Sequence, residues 1–143
     1  MSGVAVIRSK LATNAALIAV VPAARIMAGE LPLNTVLPAI QVTQVSSVPR
    51  LTLAMTEPNR MHTERVQVTV LVKGPEGEPA GGGYPTLRSI LALVLAACPN
   101  QRGTINGVTV DSILPDIEGP DLADVAAALY SGSRDFFVRW KSA

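Results

Sequence analysis

The stretch "TERVQVTVLVK", Thr63–Lys73, decides how the rest of the chain is read. Val66, Val68, Val70 and Val72 alternate with Arg65, Gln67, Thr69 and Leu71. Successive side chains of an extended chain point to opposite faces, so four β-branched residues line one face of a strand. That face needs a helical layer over it. The cover lies downstream in "PTLRSILALVLAAC", Pro85–Cys98, where no polar side chain follows Ser89. Pro85 suits a first helical position. Leu87, Ile90, Leu91, Val94, Leu95 and Cys98 recur at helical spacing and form a stripe that can lie on the valines. Ala92, Leu93 and Ala96 are left on the far side. Burying Leu93 is worth roughly 1.5–3 kcal/mol. The first helix or a neighbouring subunit is needed to cover it, which is a first sign of an oligomer.

Upstream, Val4, Ile7, Leu11, Ala15 and Ile18 recur at helical spacing and predict a helix over 4–20, stopped by Pro22. A brief strand is expected at 25–28. Ile40 and Val42, alternating with Gln41 and Thr43, predict another. Residues 46–62 carry Pro49, Pro58 and scattered polar residues, and read as a long loop or an irregular hairpin before the central strand. The glycine-rich segment 74–83 reads as a linker.

Downstream, Ile105-Asn106-Gly107-Val108 is the signature of a tight hairpin with a type I′ turn. The strand after it is expected to continue, with a bulge, through Ile113. Asp121 is placed to cap a short helix carrying Leu122, Val125 and Leu129. "RDFFVRWK", Arg134–Lys141, closes the chain as a strand with Phe136, Val138 and Trp140 on one face. The expected architecture is one α+β domain over residues 1–143: an antiparallel β-sheet with two main helices packed on one face, an α/β sandwich, with the long loop before its central strand.

Composition narrows the function. The chain has 143 residues, 48% of them apolar and only 16% charged, which excludes a disordered chain. Twelve Lys and Arg against eleven Asp and Glu leave a net charge of +1, unlike a dedicated nucleic-acid binder. The five aromatic residues are poor material for base stacking. No apolar run approaches the roughly 20 residues of a membrane span. The N-terminal apolar run is broken by Arg8, Lys10, Thr13 and Asn14, unlike a secretory signal, so a soluble protein made in the cytoplasm is expected.

Catalytic and metal chemistry find little support. Gly81-Gly82-Gly83 is followed by Tyr84-Pro85 rather than the Lys-Ser/Thr of a phosphate loop, and Pro85 removes an N–H that would cradle an anion. His62 is the sole histidine and Cys98 the sole cysteine, so neither a zinc cluster nor a disulfide framework can be built. His62 reads as a solvated loop residue. Asp111, Asp116, Glu118, Asp121 and Asp124 lack the spacing of a calcium loop. No catalytic, cofactor or metal residue is assigned. Arg50, Arg60, Arg65, Arg88 and Leu93 are the interface or lumen candidates, the first three because they lie in or beside the long loop.

Taken in order, these elements resemble the tail-completion proteins of long-tailed bacteriophages, also called tail terminators or head–tail joining proteins. The resemblance spans nearly the whole chain. It rests on the opening helix with "ALIAVVPAARIMAGELP", then "LPAIQVTQV", "ERVQVTVLVK", "TLRSILALVLAAC" and "RDFFVRWK". Two stretches depart from it: the linker 74–83 is long, and "GPDLADVAAALYSGS" is more helical than the family pattern.

The resemblance implies a non-enzymatic virion protein of the tail or neck, made in the host cytoplasm. Its subunits would form a ring, commonly a hexamer, that caps the tail tube and joins it to head-connector proteins. DNA would pass through the lumen without specific binding. No cofactor and no membrane contact are implied, and no motif residue carries over. The alternative from a different class is a small dimeric α+β ligand-binding or regulatory module, which would need an apolar pocket.

Overall fold

The computed structural model describes residues 2–50, 60–74, 83–124 and 127–141. Two strands, β1 (Ile26–Ala28) and β2 (Ala39–Pro49), precede the central one, which forms where its alternation requires it, as β3 (Met61–Lys73). It is followed by β4 (Gly103–Ile105), β5 (Val108–Glu118), β6 (Leu122–Asp124) and β7 (Leu129–Lys141). The strand order is β1-β2-β3-β7-β5-β4, with β6 also paired to β7. The helices are α1 (Ser2–Ala12), α2 (Ala15–Ile18) and α3 (Tyr84–Ala97), with a 3-10 turn at Ala23–Arg25.

This overturns the expected α+β sandwich on an antiparallel sheet. The molecule is mostly β, and its sheet is mixed and curled into a half-barrel with few helices. The mixed character comes from β1, which runs parallel to β2 with Ile26 opposite Ile40. Strand content exceeds the expectation because stretches assigned elsewhere join the ladder. Of the two readings of 46–62, the hairpin holds at both its ends, with Ser46 opposite Arg65, Ser47 opposite Glu64, Val48 opposite Thr63 and Pro49 opposite His62. Residues 51–59, including the alternating Leu51, Leu53 and Met55, lie outside the described residues.

The expected helix after Asp121 is absent at 122–124. These residues pair with β7 instead, Leu122 opposite Ser131 and Asp124 opposite Leu129. β7 runs back to Leu129 and offers an unpaired ladder beyond the end of β5, and that ladder outweighs the local helical spacing. The first helix is also shorter than its periodicity implied. It breaks at Thr13–Asn14, because the Asn14 side chain accepts the Leu17 N–H at 3.0 Å and starts a new turn. Leu17 and Val21 then reach the core, while Ala15 and Ile18 stay exposed.

The core follows the central strand. Val66, Val68, Val70 and Val72 are buried, and so are Ile40, Val42, Phe136 and Val138 from the flanking strands. α1 and α3 both pack against β3 and β7. Leu87, Ile90, Leu91 and Val94 line the buried side of α3 together with Cys98, whereas Leu95 is exposed. α3 can sit close to the sheet because Gly132 lies beneath it: a Cβ there would be 2.9 Å from the Leu91 Cδ1. The hairpin at 105–108 forms as its sequence requires, with Asn106 at φ 50° and Gly107 at φ 77°. β5 continues beyond Ile113 to Glu118, bulged between Val110 and Ser112.

Candidate assembly surface

The opposite face of the sheet, away from the helices, carries Arg65, Gln67, Thr69 and Leu71 from β3. They stand beside Phe137, Asp135, Ser133 and Ser131 of β7. Asp135 is buried, and the Arg65 guanidinium answers it with Nε at 2.8 Å and Nη2 at 2.7 Å on Oδ2. Asp116 lies 3.3 Å from the same Nε. Arg65 is therefore ion-paired within its own chain.

Arg88 is ion-paired as well. Nη1 donates to Glu118 Oε1 at 2.6 Å, and Asp121 Oδ1 stands 3.6 Å away. Glu118 also faces Arg134 at 3.6 Å, and the Tyr84 hydroxyl donates to Asp121 at 3.0 Å. Glu118 holds the Arg88 guanidinium above its ordinary range, first through the hydrogen bond and then through its charge. The bond to Asp121 likewise raises the Tyr84 phenol. Asp116, Glu118 and Asp121 thus face arginines, and this network ties the start of α3 to the β5–β6 turn, whereas Asp124 accepts the Ala127 N–H at 3.2 Å. Asp111 completes the pattern with Arg102 at 3.5 Å.

The other candidates part company. Arg50 is exposed at the end of β2, where its N–H donates to the Met61 carbonyl at 2.7 Å. It lines a shallow cleft with Val48, Thr63, Asp111 and Arg139. Arg60 is half-buried just before β3. Leu93 is half-buried and packs against the core of its own chain. α1 and α2 pack against α3, while Ala92, Leu95 and Ala96 of that helix stay exposed.

Exposed apolar side chains occur beside this helix, at Ile18, Val20 and Leu95, and at other places on the molecule. Leu33 is 95% exposed, Val48 63%, Leu122 60% and Ile117 56%, with Val36, Val45 and Leu114 also exposed. Val45 marks the register shift in β2, between Gln44 and Ser46. Sequence reasoning missed all of these as interface candidates. A signal existed for Leu33 and Val36: "LPLNTVLP" places apolar residues in a proline-punctuated turn, where no helix or strand period can bury them.

His62 is not a solvated loop residue. It lies in β3, half-buried, and stacks on Trp140 with 4.2 Å between ring centroids. No cluster of metal-ligating side chains occurs among the described residues, and none of the described helices is long and apolar enough to cross a membrane. Of the glycine run only Gly83 is described. It precedes α3 and abuts Tyr130, and no side chain caps the helix there.

No protein-family model and no curated protein matches the chain. Solved structures do. A chain from the virion of a native gene transfer agent particle superposes with a TM-score of 0.66 at 14% identity, covering 97% of this chain and 94% of that one. A second solved structure superposes with a TM-score of 0.54 at 14% identity, covering 98% of this chain and 95% of that one. The chain therefore shares, over almost its full length, the fold of a subunit from a gene transfer agent virion.

Proposed function

We propose that this protein is a structural subunit of a phage-type virion, and that copies of it form the ring that ends the tail tube and joins it to the head connector. The observation that carries the reading is the fold shared end to end with a chain of a gene transfer agent virion. The sequence resemblance to tail-completion proteins points the same way, independently of that superposition. A ring of identical subunits requires two different, complementary patches on each copy. Exposed apolar side chains occur at several separate places on this one, among them Leu33, Val48 and Leu122. In this reading the part is played by surfaces and not by a catalytic group, the partners are further copies, tail tube protein and connector proteins, and DNA crosses the lumen without being gripped.

Negative-stain microscopy of the purified protein, alone and mixed with tail tubes, tests the proposal. Closed rings in solution or capping the tube ends are expected. Monomers that never decorate a tube end would overturn it.

The second reading, a dimeric ligand-binding module, has one observation on its side: a 420 Å³ groove beside α1, walled mainly by apolar side chains. A specific metabolite hit in a thermal-shift screen, with no ring, would favour it.

A further inference from the structure

The turn after β1 is built to hold an apolar side chain out in solvent. Gly29, at φ +89°, donates its N–H to the Val42 carbonyl at 2.9 Å and anchors the turn to the sheet. The Thr35 hydroxyl and N–H both reach the Pro32 carbonyl, at 2.5 Å and 3.3 Å. Asn34 takes the left-handed conformation, φ 62°, one that asparagine tolerates better than most residues. The result is a hydrogen-bonded arm whose tip, Leu33, is 95% exposed, with Val36 beside it at 62%. A chain that fixes a leucine in water spends conformational entropy for no burial of its own.

The same chain carries a receptor of matching character. α1, the β4–β5 hairpin and Ala28 at the foot of the arm line the 420 Å³ groove, whose walls include Val4, Ala5, Ala12 and Val108, with Arg8 among them. That volume is ample for a leucine and a valine side chain. Charge matches too. Glu30 is exposed on the arm and has no ion pair among the described residues. Arg8 is exposed in the groove and, among the described residues, donates only its Nε, to the Ile26 carbonyl at 3.0 Å. The arm does not fill the groove of its own chain, since Leu33 remains in solvent.

We propose that the 29–36 arm of one copy seats in the α1 groove of the next, with Leu33 and Val36 against its apolar walls and Glu30 against Arg8. Arm and groove are different patches, so the contact is heterologous. It leaves a free arm at one end of a pair and a free groove at the other, and it propagates until a circle closes. This rests on the ring reading and names the interface that reading needs.

The test uses two surface variants and their mixture, followed by sedimentation velocity, with circular dichroism to verify folding. Leu33→Asp spoils the arm. Thr13→Trp, at an exposed position, fills the groove. Wild type is expected to form a closed oligomer, and each variant alone to be monomeric. Mixed one to one, they should form a dimer and nothing larger, because only one arm–groove pair is intact. Glu30→Arg should weaken association roughly tenfold and reverse the contribution of this pair to its salt dependence, because salt screens the new repulsion. Rings that survive both Leu33→Asp and Thr13→Trp would overturn the arm-in-groove contact while leaving the ring standing. A wild type that never forms rings, even on tail tubes, would remove both.

Discussion

The rings of His62 and Trp140 lie parallel, 10° between their planes and 4.2 Å between centroids, directly opposite each other on β3 and β7. Aromatic pairs of this kind contribute about 0.5–1.5 kcal/mol beyond the area they bury. His62→Ala is therefore expected to lower the unfolding free energy by about 1 kcal/mol and to leave assembly intact. Trp140 is the sole tryptophan, so its emission reports the site directly. A red shift with unchanged oligomeric state is the expected outcome, and lost assembly would give His62 a role beyond stacking.

The two ends of the glycine-rich linker meet on Tyr130. A methyl group on Gly83 would stand 2.6 Å from the Tyr130 Cδ2 and 3.2 Å from the Gly74 Cα. One on Gly74 would stand 2.9 Å from the Tyr130 Cε2. Gly83 has φ −89° and ψ −9°, which alanine adopts without strain, so any penalty is steric. Gly83→Ala is expected to cost about 1–3 kcal/mol, as overpacking generally does. Tyr130→Leu should relieve most of it. Denaturant melts of the two single variants and the double variant check this, and additivity would rule out the clash.

Arg65 and Arg88 differ in what their loss exposes. Removing Arg65 strands a carboxylate whose side chain is 5% exposed, at Asp135, and breaking a buried pair on one side costs about 3–5 kcal/mol. Arg88 and Glu118 have side chains 42% and 33% exposed, a setting in which ion pairs contribute about 0–1 kcal/mol. Arg65→Ala should therefore destabilise several-fold more than Arg88→Ala, measured by urea unfolding at low salt. Equal effects would mean that Asp135 finds another partner.

The sheet core was legible because its information is local. Alternating valines in β3, the Asn-Gly turn and the Phe136, Val138, Trp140 face each specify one conformation within a few residues. The failures share a different cause. Leu122–Asp124 carries helical spacing but lies against a ladder supplied by β7, which no nearby residue announces. Asn14 lies mid-pattern and ends the helix by bonding to Leu17, a choice that apolar periodicity does not encode. The ion pairs of Arg65 and Arg88 were not legible because their carboxylates are contributed by strands 30 or more residues away. The sequence left open whether the first helix or a second copy covers Leu93, because the fold-back of α2 onto α3 leaves no local mark. The exposed arm at Leu33 was overlooked because a leucine in a loop has no period to violate.

α1 approaches the sheet through Gly3, which is buried over Glu64. A Cβ at that position would overlap the Glu64 Oε2 and stand 2.7 Å from its Cδ. The buried carboxylate thus lies beneath the positive end of the helix, where negative charge is favourable. Gly3→Ala must displace either the carboxylate or the helix, and is expected to destabilise by about 1–3 kcal/mol. Because α1 walls the groove, the proposed arm-in-groove association should weaken in parallel. A neutral Gly3→Ala in thermal melts would mean that the helix N-terminus shifts at no cost.

Cys98 supplies a reporter of global opening. Burial pushes its thiol up to about 12, only slightly offset by Lys10. The thiol keeps its proton in the folded chain and ionises at its ordinary pH, about 8.5, when unfolded. Folding is unpenalised below that pH. Between roughly pH 8.5 and 12 the unfolded state gains by ionising, so this residue makes stability fall as pH rises. Cys98→Ala should flatten that alkaline slope. At pH 8 a thiol-alkylating reagent should label the native protein only as fast as it unfolds, and label urea-unfolded chains at once. Rapid labelling of the folded protein, at a rate independent of added urea, would show that α3 opens locally and that the thiol is not sealed.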